Sequence, residues 1–269
     1  MRRILRRFQQ LRERGEKALV TYVTAGDPDL EGTYEIVLEM ARAGADIIEI
    51  GLPFSDPTAD GPVIQAACRR ALMSGTTLER VLELVVALRR VLDIPLLLFT
   101  YYNPILAYGP ERFAREACGS GLDGILVVDL PPEEWDELRC HTDSMGLDYI
   151  VLVAPTTGPD RLWHILRGAQ GFIYCISTTA VTGTAQPELE AVRKQIQLIR
   201  KWTNLPVMVG FGISDHNQAR SSASLADGVV VGSAIVRLIE ENRTEDDLPR
   251  RVGQLVARLK AGISMRLEP

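Results

Sequence analysis

The run Ile47-Ile48-Glu49-Ile50-Gly51-Leu52-Pro53-Phe54-Ser55-Asp56-Pro57-Thr58-Ala59-Asp60-Gly61-Pro62 opens as a strand and ends as a loop. Its β-branched apolar start predicts a strand buried on both faces, yet Glu49 stands near its end. Ile48 and Ile50 take one face, so Glu49 shares the other with Ile47 and Gly51. The loop that follows at once is rich in proline and aspartate and adds Asp56 and Asp60. An ionised carboxylate in apolar surroundings costs several kcal/mol, so it pairs, protonates or serves chemistry. This strand supplies no Lys or Arg to pair with it.

Outward from that stretch, short β-branched runs recur at 18–23, 46–50, 95–100, 124–128, 149–153, 172–176, 206–209 and 228–231. Helical periodicity fills the gaps, at 33–43, 78–89, 110–118, 133–145, 159–166, 189–201, 215–221 and 246–259. In 78–89, Leu78, Val81, Leu82, Val85 and Leu88 share one face, and Thr76 with Glu79 reads as a capping box. Eight apolar strands, each followed by a crossover helix, point to a parallel sheet, and right-handed repetition over this length closes into a (β/α)8 TIM barrel. The alternative is an open doubly wound sheet. Gly26-Asp27-Pro28 after the first strand has the wrong spacing for a dinucleotide fingerprint, which favours the barrel.

Composition sets the outer bounds. The chain has 269 residues, 46% of them hydrophobic and 24% charged, enough for one large α/β barrel. We therefore expect a single barrel domain over 1–269 with an additional N-terminal helix. The net charge of −5 gives no global attraction for nucleic acid or anionic lipid. Arg2, Arg3, Arg6 and Arg7 alternate with Ile4, Leu5, Phe8 and Leu11 at helical spacing, which reads as a solvated helix face. Cys68, Cys118, Cys140 and Cys175 are scattered without a CxxC pair, and His141, His164 and His216 lack metal-ligand spacing, so no metal is expected. With neither a signal-like segment nor a long apolar run, a soluble cytoplasmic protein is expected.

Active sites of such barrels form at the C-terminal ends of the strands, and the unusual residues gather there. Glu49 ends strand two and Asp60 lies in the loop after it. Tyr101-Tyr102-Asn103-Pro104 follows strand three, and Asp129-Leu130-Pro131-Pro132 follows strand four. Tyr174 lies in strand six, with Thr182-Gly183 in the loop beyond. Gly210-Phe211-Gly212 ends strand seven and Gly232-Ser233 ends strand eight. The loops after strands seven and eight, with a helix start, commonly bind phosphate in this fold. Burial would raise the pKa of Glu49 and suit it to proton transfer near neutral pH. Asp56 and Asp60, beside Pro57 and Gly61, also fit turn formation.

These blocks carry a resemblance. The Glu49–Pro62 run is similar to that of the tryptophan synthase α subunit family. Thr24-Ala25-Gly26-Asp27-Pro28, Tyr102-Asn103-Pro104, Asp129-Leu130-Pro131, Val181-Thr182-Gly183, Gly210-Phe211-Gly212-Ile213-Ser214 and Gly232-Ser233-Ala234-Ile235-Val236 follow in the same order, over nearly the whole chain. The resemblance implies retro-aldol cleavage of indole-3-glycerol phosphate to indole and glyceraldehyde 3-phosphate, with neither metal nor cofactor on this subunit. It implies that Glu49 is the general acid–base and that Asp60 binds the indole N–H. By the same likeness, Tyr22, Phe99, Val127, Tyr174 and Phe211 line the substrate site. Gly183, Gly212, Gly232 and Ser233 hold the phosphate, and Thr182 sits on a closing loop that reaches Asp60. The family works as an α2β2 complex that passes indole to a pyridoxal-phosphate β subunit. Asp56, Asn103, Pro104, Pro131 and Pro132 would face that partner.

Two positions depart from the family pattern. Ala180 replaces the first glycine of Gly-Val-Thr-Gly, which costs about 1 kcal/mol if that position needs a positive φ. Val128 stands where proline is common. Two further readings stay open: a stand-alone indole-releasing lyase, and a catalytically silent subunit that only activates its partner.

Overall fold

The computed structural model describes residues 2–176, 189–210, 213 and 216–264. Its strands are β1 (Ala18–Thr24), β2 (Ile47–Gly51), β3 (Leu96–Thr100), β4 (Gly124–Val127), β5 (Asp148–Tyr149), β6 (Val151–Val153), β7 (Ile173–Ile176), β8 (Val207–Gly210) and β9 (Gly228–Val231). All pairings are parallel, in the order β5-β4-β3-β2-β1-β9-β8-β7-β6. The two edge strands, β5 and β6, are consecutive in the chain with only Ile150 between them, so the sheet curls into a nearly closed barrel. They are the halves of the expected fifth strand, which changes partner midway. β5 pairs with β4 and β6 with β7, while the Ile150 N–H donates to Ile125 O at 2.8 Å.

The helices are α1 (Arg3–Arg14), α2 (Leu30–Arg42), α3 (Pro62–Met73), α4 (Leu78–Arg89), α5 (Tyr102–Tyr108), α6 (Pro110–Ser120), α7 (Asp136–Met145), α8 (Pro159–Arg167), α9 (Leu189–Ile199), α10 (His216–Ala223), α11 (Ser233–Asn242) and α12 (Leu248–Ser264). Of these, α3 and α5 were not expected. Pro62 at the first position of α3 and Pro110 at that of α6 suit a helix start, where the missing N–H is no loss. The cap of α4 is Thr77 rather than Thr76: the Arg80 N–H donates to its hydroxyl at 3.4 Å, while Thr76 is buried beside Ser74.

Strand alternation sorts the core into two layers. Leu19, Val23, Ile48, Ile50, Leu98 and Ile125 face the helices. Val20, Ile47, Leu97, Leu126, Phe172, Met208 and Val230 fill the lumen, closed from below by Ile4, Phe8 and Leu11 of α1. The Phe8 and Phe172 rings lie 5.9 Å apart.

The arginines of α1 are more than a solvated face. Arg7 donates to Asp46 at 3.1 and 2.6 Å, Arg3 to Asp123 at 3.0 Å, and Arg2 to Asp148. Three aspartates that precede strands also accept the first N–H groups of the neighbouring strand. Leu19 donates to Asp46 at 2.6 Å, Leu96 to Asp123 at 2.9 Å and Val207 to Asp227 at 2.9 Å. The floor of the barrel is thus a set of paired carboxylates that satisfies strand ends. Among the described residues, no helix is long and apolar enough to cross a membrane.

Candidate active site

At the opposite end the same alternation turns Glu49 inward above Ile47, in register with Tyr22 on β1 and Leu97 on β3. It is only 1% exposed, and its Oε1 has no hydrogen-bond partner among the described residues. Burial alone pushes its carboxyl up to about 8. A carboxyl whose pKa lies this close to neutral pH can both give and take a proton.

Two tyrosines flank it. The Tyr22 ring lies flat against Gly51, where a Cβ would fall 2.2 Å from the hydroxyl oxygen, so only glycine fits there. Gly210 receives the Tyr174 hydroxyl in the same way, at 2.5 Å from a would-be Cβ. The Tyr22 hydroxyl shares a 3.2 Å hydrogen bond with Thr24 Oγ1, and Phe99 meets the Tyr22 ring edge-on at 5.2 Å. Burial raises both phenols well above their ordinary range, and the fields of Glu49 and Asp60 add to it.

Asp60 enters from the loop between β2 and α3. Its Oδ2 accepts a hydrogen bond from the Tyr101 hydroxyl at 2.8 Å. Burial lifts this carboxyl to about 6, against the pull of Tyr101. It is therefore mostly ionised at pH 7, where Glu49 is mostly protonated: two acids near one mouth, in opposite states.

On the far side of Tyr22, Gly232 caps α11, which begins at Ser233. Gly232 O accepts from Ile235 and Val236, and no side chain caps the helix. A helix start leaves its first N–H groups without intrahelical partners, so the dipole and the Ser233 hydroxyl can meet an anion here. Gly232 lies in ordinary contact distance of Tyr22, which sets this cradle beside the inward-facing residues.

Val127 does not join them. It packs in the layer between sheet and helices, whereas Leu126 and Val128 belong to the lumen, as does Leu152. The reason is the two-residue period: counted from Leu97 and Phe99, the inward positions of β4 are even-numbered. Applied to β4, the parity that identified Glu49 would have found Val128. Tyr101 was also missed as a partner of Asp60. Thr182, Gly183, Phe211, Gly212 and the variant Ala180 lie outside the described residues.

Asp56, Pro131 and Pro132 lie on the connections that follow β2 and β4, and Asn103 and Pro104 lie in the first turn of α5 after β3. These three strands are neighbours in the sheet, so the five residues share one arc of the rim. Asp56 is exposed and closes its own turn, with its carbonyl accepting from Thr58 N–H at 2.8 Å. Tyr102 ties two of the loops together, its N–H donating to Asp129 at 2.7 Å and its hydroxyl to Glu137 at 2.9 Å. A groove of about 500 Å³ on the outer wall, between α4 and α6, lies away from this mouth. Its charges answer one another, Arg112 pairing with Glu116 at 2.9 Å. Among the described residues, no three His, Cys, Asp or Glu side chains are grouped to hold a metal ion.

Comparison with known proteins gives the family and the fold. The family model described as tryptophan synthase alpha chain matches residues 8–263. The tryptophan synthase alpha chain of Geotalea uraniireducens (strain Rf4) is 51% identical over 263 residues, 98% of each chain. The crystal structure of tryptophan synthase subunit alpha from Legionella pneumophila str. Paris superposes with a TM-score of 0.90 at 37% identity, covering 98% of each chain. A chain from tryptophan synthase of M. tuberculosis in an aminoacrylate-bound form gives a TM-score of 0.88 at 32% identity, covering 98% of this chain and 100% of that one.

Proposed function

The chain belongs to the tryptophan synthase alpha chain family, and we propose that Glu49 and Asp60 divide between them its cleavage of indole-3-glycerol phosphate. As an indole-3-glycerol phosphate lyase it releases indole and glyceraldehyde 3-phosphate. The observation that carries the assignment is Glu49, buried and facing the lumen, its Oε1 without a partner among the described residues and its carboxyl at about 8.

The protons balance as follows. Protonated Glu49 gives its proton to indole C3, and the ring nitrogen becomes positive. Ionised Asp60 accepts the nitrogen's N–H and balances that charge. Glu49, now a carboxylate, takes the proton of the 3′-hydroxyl. The O–H electrons form the aldehyde, the C3–C3′ bond breaks, and its electrons restore the indole double bond. Glu49 ends protonated, as it began. The apolar walls are Tyr22, Phe99, Val128 and Leu152, with Tyr174 opposite and Phe211 assigned by likeness alone. Gly232 and Ser233 would hold the phosphate together with Gly183 and Gly212, and Thr182 would close over Asp60. The unit at work is the single barrel over 1–269.

A β subunit is the partner implied by the family, and the arc of Asp56, Asn103, Pro104, Pro131 and Pro132 is the surface we assign to it in an α2β2 complex. Pyridoxal phosphate would belong to that partner, and nothing in the reaction above needs a cofactor on this chain. With free Cys68, Cys118, Cys140 and Cys175, the reading fits a reducing cytoplasm.

The test is indole release from indole-3-glycerol phosphate, with and without a β subunit, across pH. We expect kcat/KM to rise near pH 6 as Asp60 ionises and to fall near pH 8 as Glu49 loses its proton. Release unaffected by a β subunit would favour the stand-alone enzyme. No release even with the β subunit would leave only the silent activator.

A further inference from the structure

Asp60 is held by a side chain that the lyase chemistry does not itself use. Tyr101 lies between β3 and α5, only 2% exposed, and its hydroxyl does two things at once. It donates to Asp60 Oδ2 at 2.8 Å and accepts the Ala59 N–H at 3.0 Å. Its ring also packs against Phe54, with centroids 5.2 Å apart. The loop from β2 to α3 therefore closes on Tyr101 near both of its ends. The backbone of Asp60 is fixed separately, its N–H to Pro57 O at 3.0 Å and its carbonyl to Gln65 Nε2 at 2.9 Å. The carboxylate has no other anchor among the described residues, and Oδ1 is left to accept from a ligand.

We propose that Tyr101 is a positioning residue for Asp60: its clamped hydroxyl fixes the carboxylate rotamer, so that Oδ1 meets the indole N–H and Oδ2 stays occupied. This rests on the lyase reading of Asp60. The donor is always available, because burial and Asp60 raise the Tyr101 phenol far above neutral pH. Its bond also favours ionised Asp60 against the burial that would protonate it. The other ionisable groups that feel the Asp60 charge are Tyr22 from β1, Cys68 from α3 and Tyr174 from β7, with Glu49 on β2 beside those tyrosines. Burial holds each of them towards its neutral form at pH 7, Cys68 at about 11 and Glu49 at about 8. On the enzyme's side, the acidic limb of the rate profile is therefore assigned to Asp60.

Tyr101→Phe keeps the ring on Phe54 and removes only the hydroxyl. A small misplacement of a reacting group lowers kcat by about 10- to 100-fold, and KM for indole-3-glycerol phosphate should stay within about threefold. Losing the bond raises the Asp60 pKa, so the acidic limb of kcat/KM should move to higher pH by about half a unit or more. In an Asp60→Asn background the same change should cost less than about twofold, because two residues acting through one contact are not additive. A fluorinated tyrosine at position 101, a stronger donor of the same shape, should move the limb to lower pH, and this arm stands even if the Phe variant folds poorly. Unchanged kcat and limb in an active enzyme, or an undiminished loss in the Asp60→Asn background, would overturn the positioning role alone. A wild-type protein that releases no indole would overturn the lyase reading itself.

Discussion

Asp46, just before β2, and Glu49, within it, are three residues apart, equally cut off from water, and opposite in their surroundings. Asp46 lies at the floor with 0% exposure and accepts from Arg7 twice, from Lys260 at 2.8 Å and from the Leu19 N–H. Glu49, at 1%, has an oxygen with no partner among the described residues. Burial penalises both charges, and only the floor supplies the bonds that offset it. The floor is not uniform, since burial raises Asp148 despite Arg2, but every carboxylate there has a cation. A buried acid among cations is a structural tie. One left alone at the mouth holds a proton that chemistry can use, at the expense of stability.

The strongest way to break this contrast is Glu49→Gln. Removing the group assigned to carry the proton should lower kcat by more than about a thousandfold while KM changes little. Near-normal turnover would refute the assignment. The same variant should be more stable than wild type. With its folded pKa raised to about 8 from 4.5, Glu49 contributes stability that is fully present below pH 4.5 and is lost as pH rises through 8. At pH 7 the unfolded state gains by ionising, so the neutral amide should be worth about 2–3 kcal/mol in denaturant unfolding. That gain should vanish towards pH 4.5.

Asp46→Asn is the mirror experiment, with the next largest effect. It keeps an acceptor for Leu19 but leaves Arg7 and Lys260 without their buried counter-charge, for a loss of about 2–4 kcal/mol. The kcat of the folded protein should stay within about threefold, because the lumen layers of Ile47 and Phe172 separate the floor from the mouth. A stability loss under about 0.5 kcal/mol would mean that the floor pairs are decoration.

The two ends also differ in how legibly the sequence describes them. The mouth could be read because its acids violate the apolar pattern of their own strand, and Glu49 needs only local parity to be seen. Val127 was assigned by likeness alone, and the same parity carried to β4 puts Val128 rather than Val127 on the lumen side. The floor was hard to read because each of its ties joins distant segments: Arg3 meets Asp123 and Lys260 meets Asp46. Nothing in the charge pattern of α1 distinguishes an arginine that reaches a buried aspartate from one facing water, such as Arg6 with exposed Asp93. Tyr101 was missed for the same reason, since its bond to Asp60 spans 41 positions. The strands were recovered, but α3 was hidden behind the Pro- and Gly-rich loop that leads into it, and α5 because Asn103-Pro104 in its first turn reads as a turn.

The smallest predicted effect sharpens the contrast by moving a carboxylate instead of removing one. Ser233→Asp adds an acid to the first turn of α11, where the helix dipole favours negative charge by about 0.3–1 kcal/mol. At the floor an added charge would need a cation, but here backbone N–H groups supply the complement, so stability should hold or rise slightly. Substrate affinity should move the other way, falling about tenfold as the carboxylate repels the phosphate and occupies its donors. The penalty should shrink with added salt, since Ser233 is only half-buried. Unchanged KM for indole-3-glycerol phosphate would place the phosphate elsewhere. If KM rises while the fold is no weaker, the start of α11 behaves as Glu49 does: a position at the mouth where the arrangement that binds or transforms substrate is not the one that best stabilises the barrel.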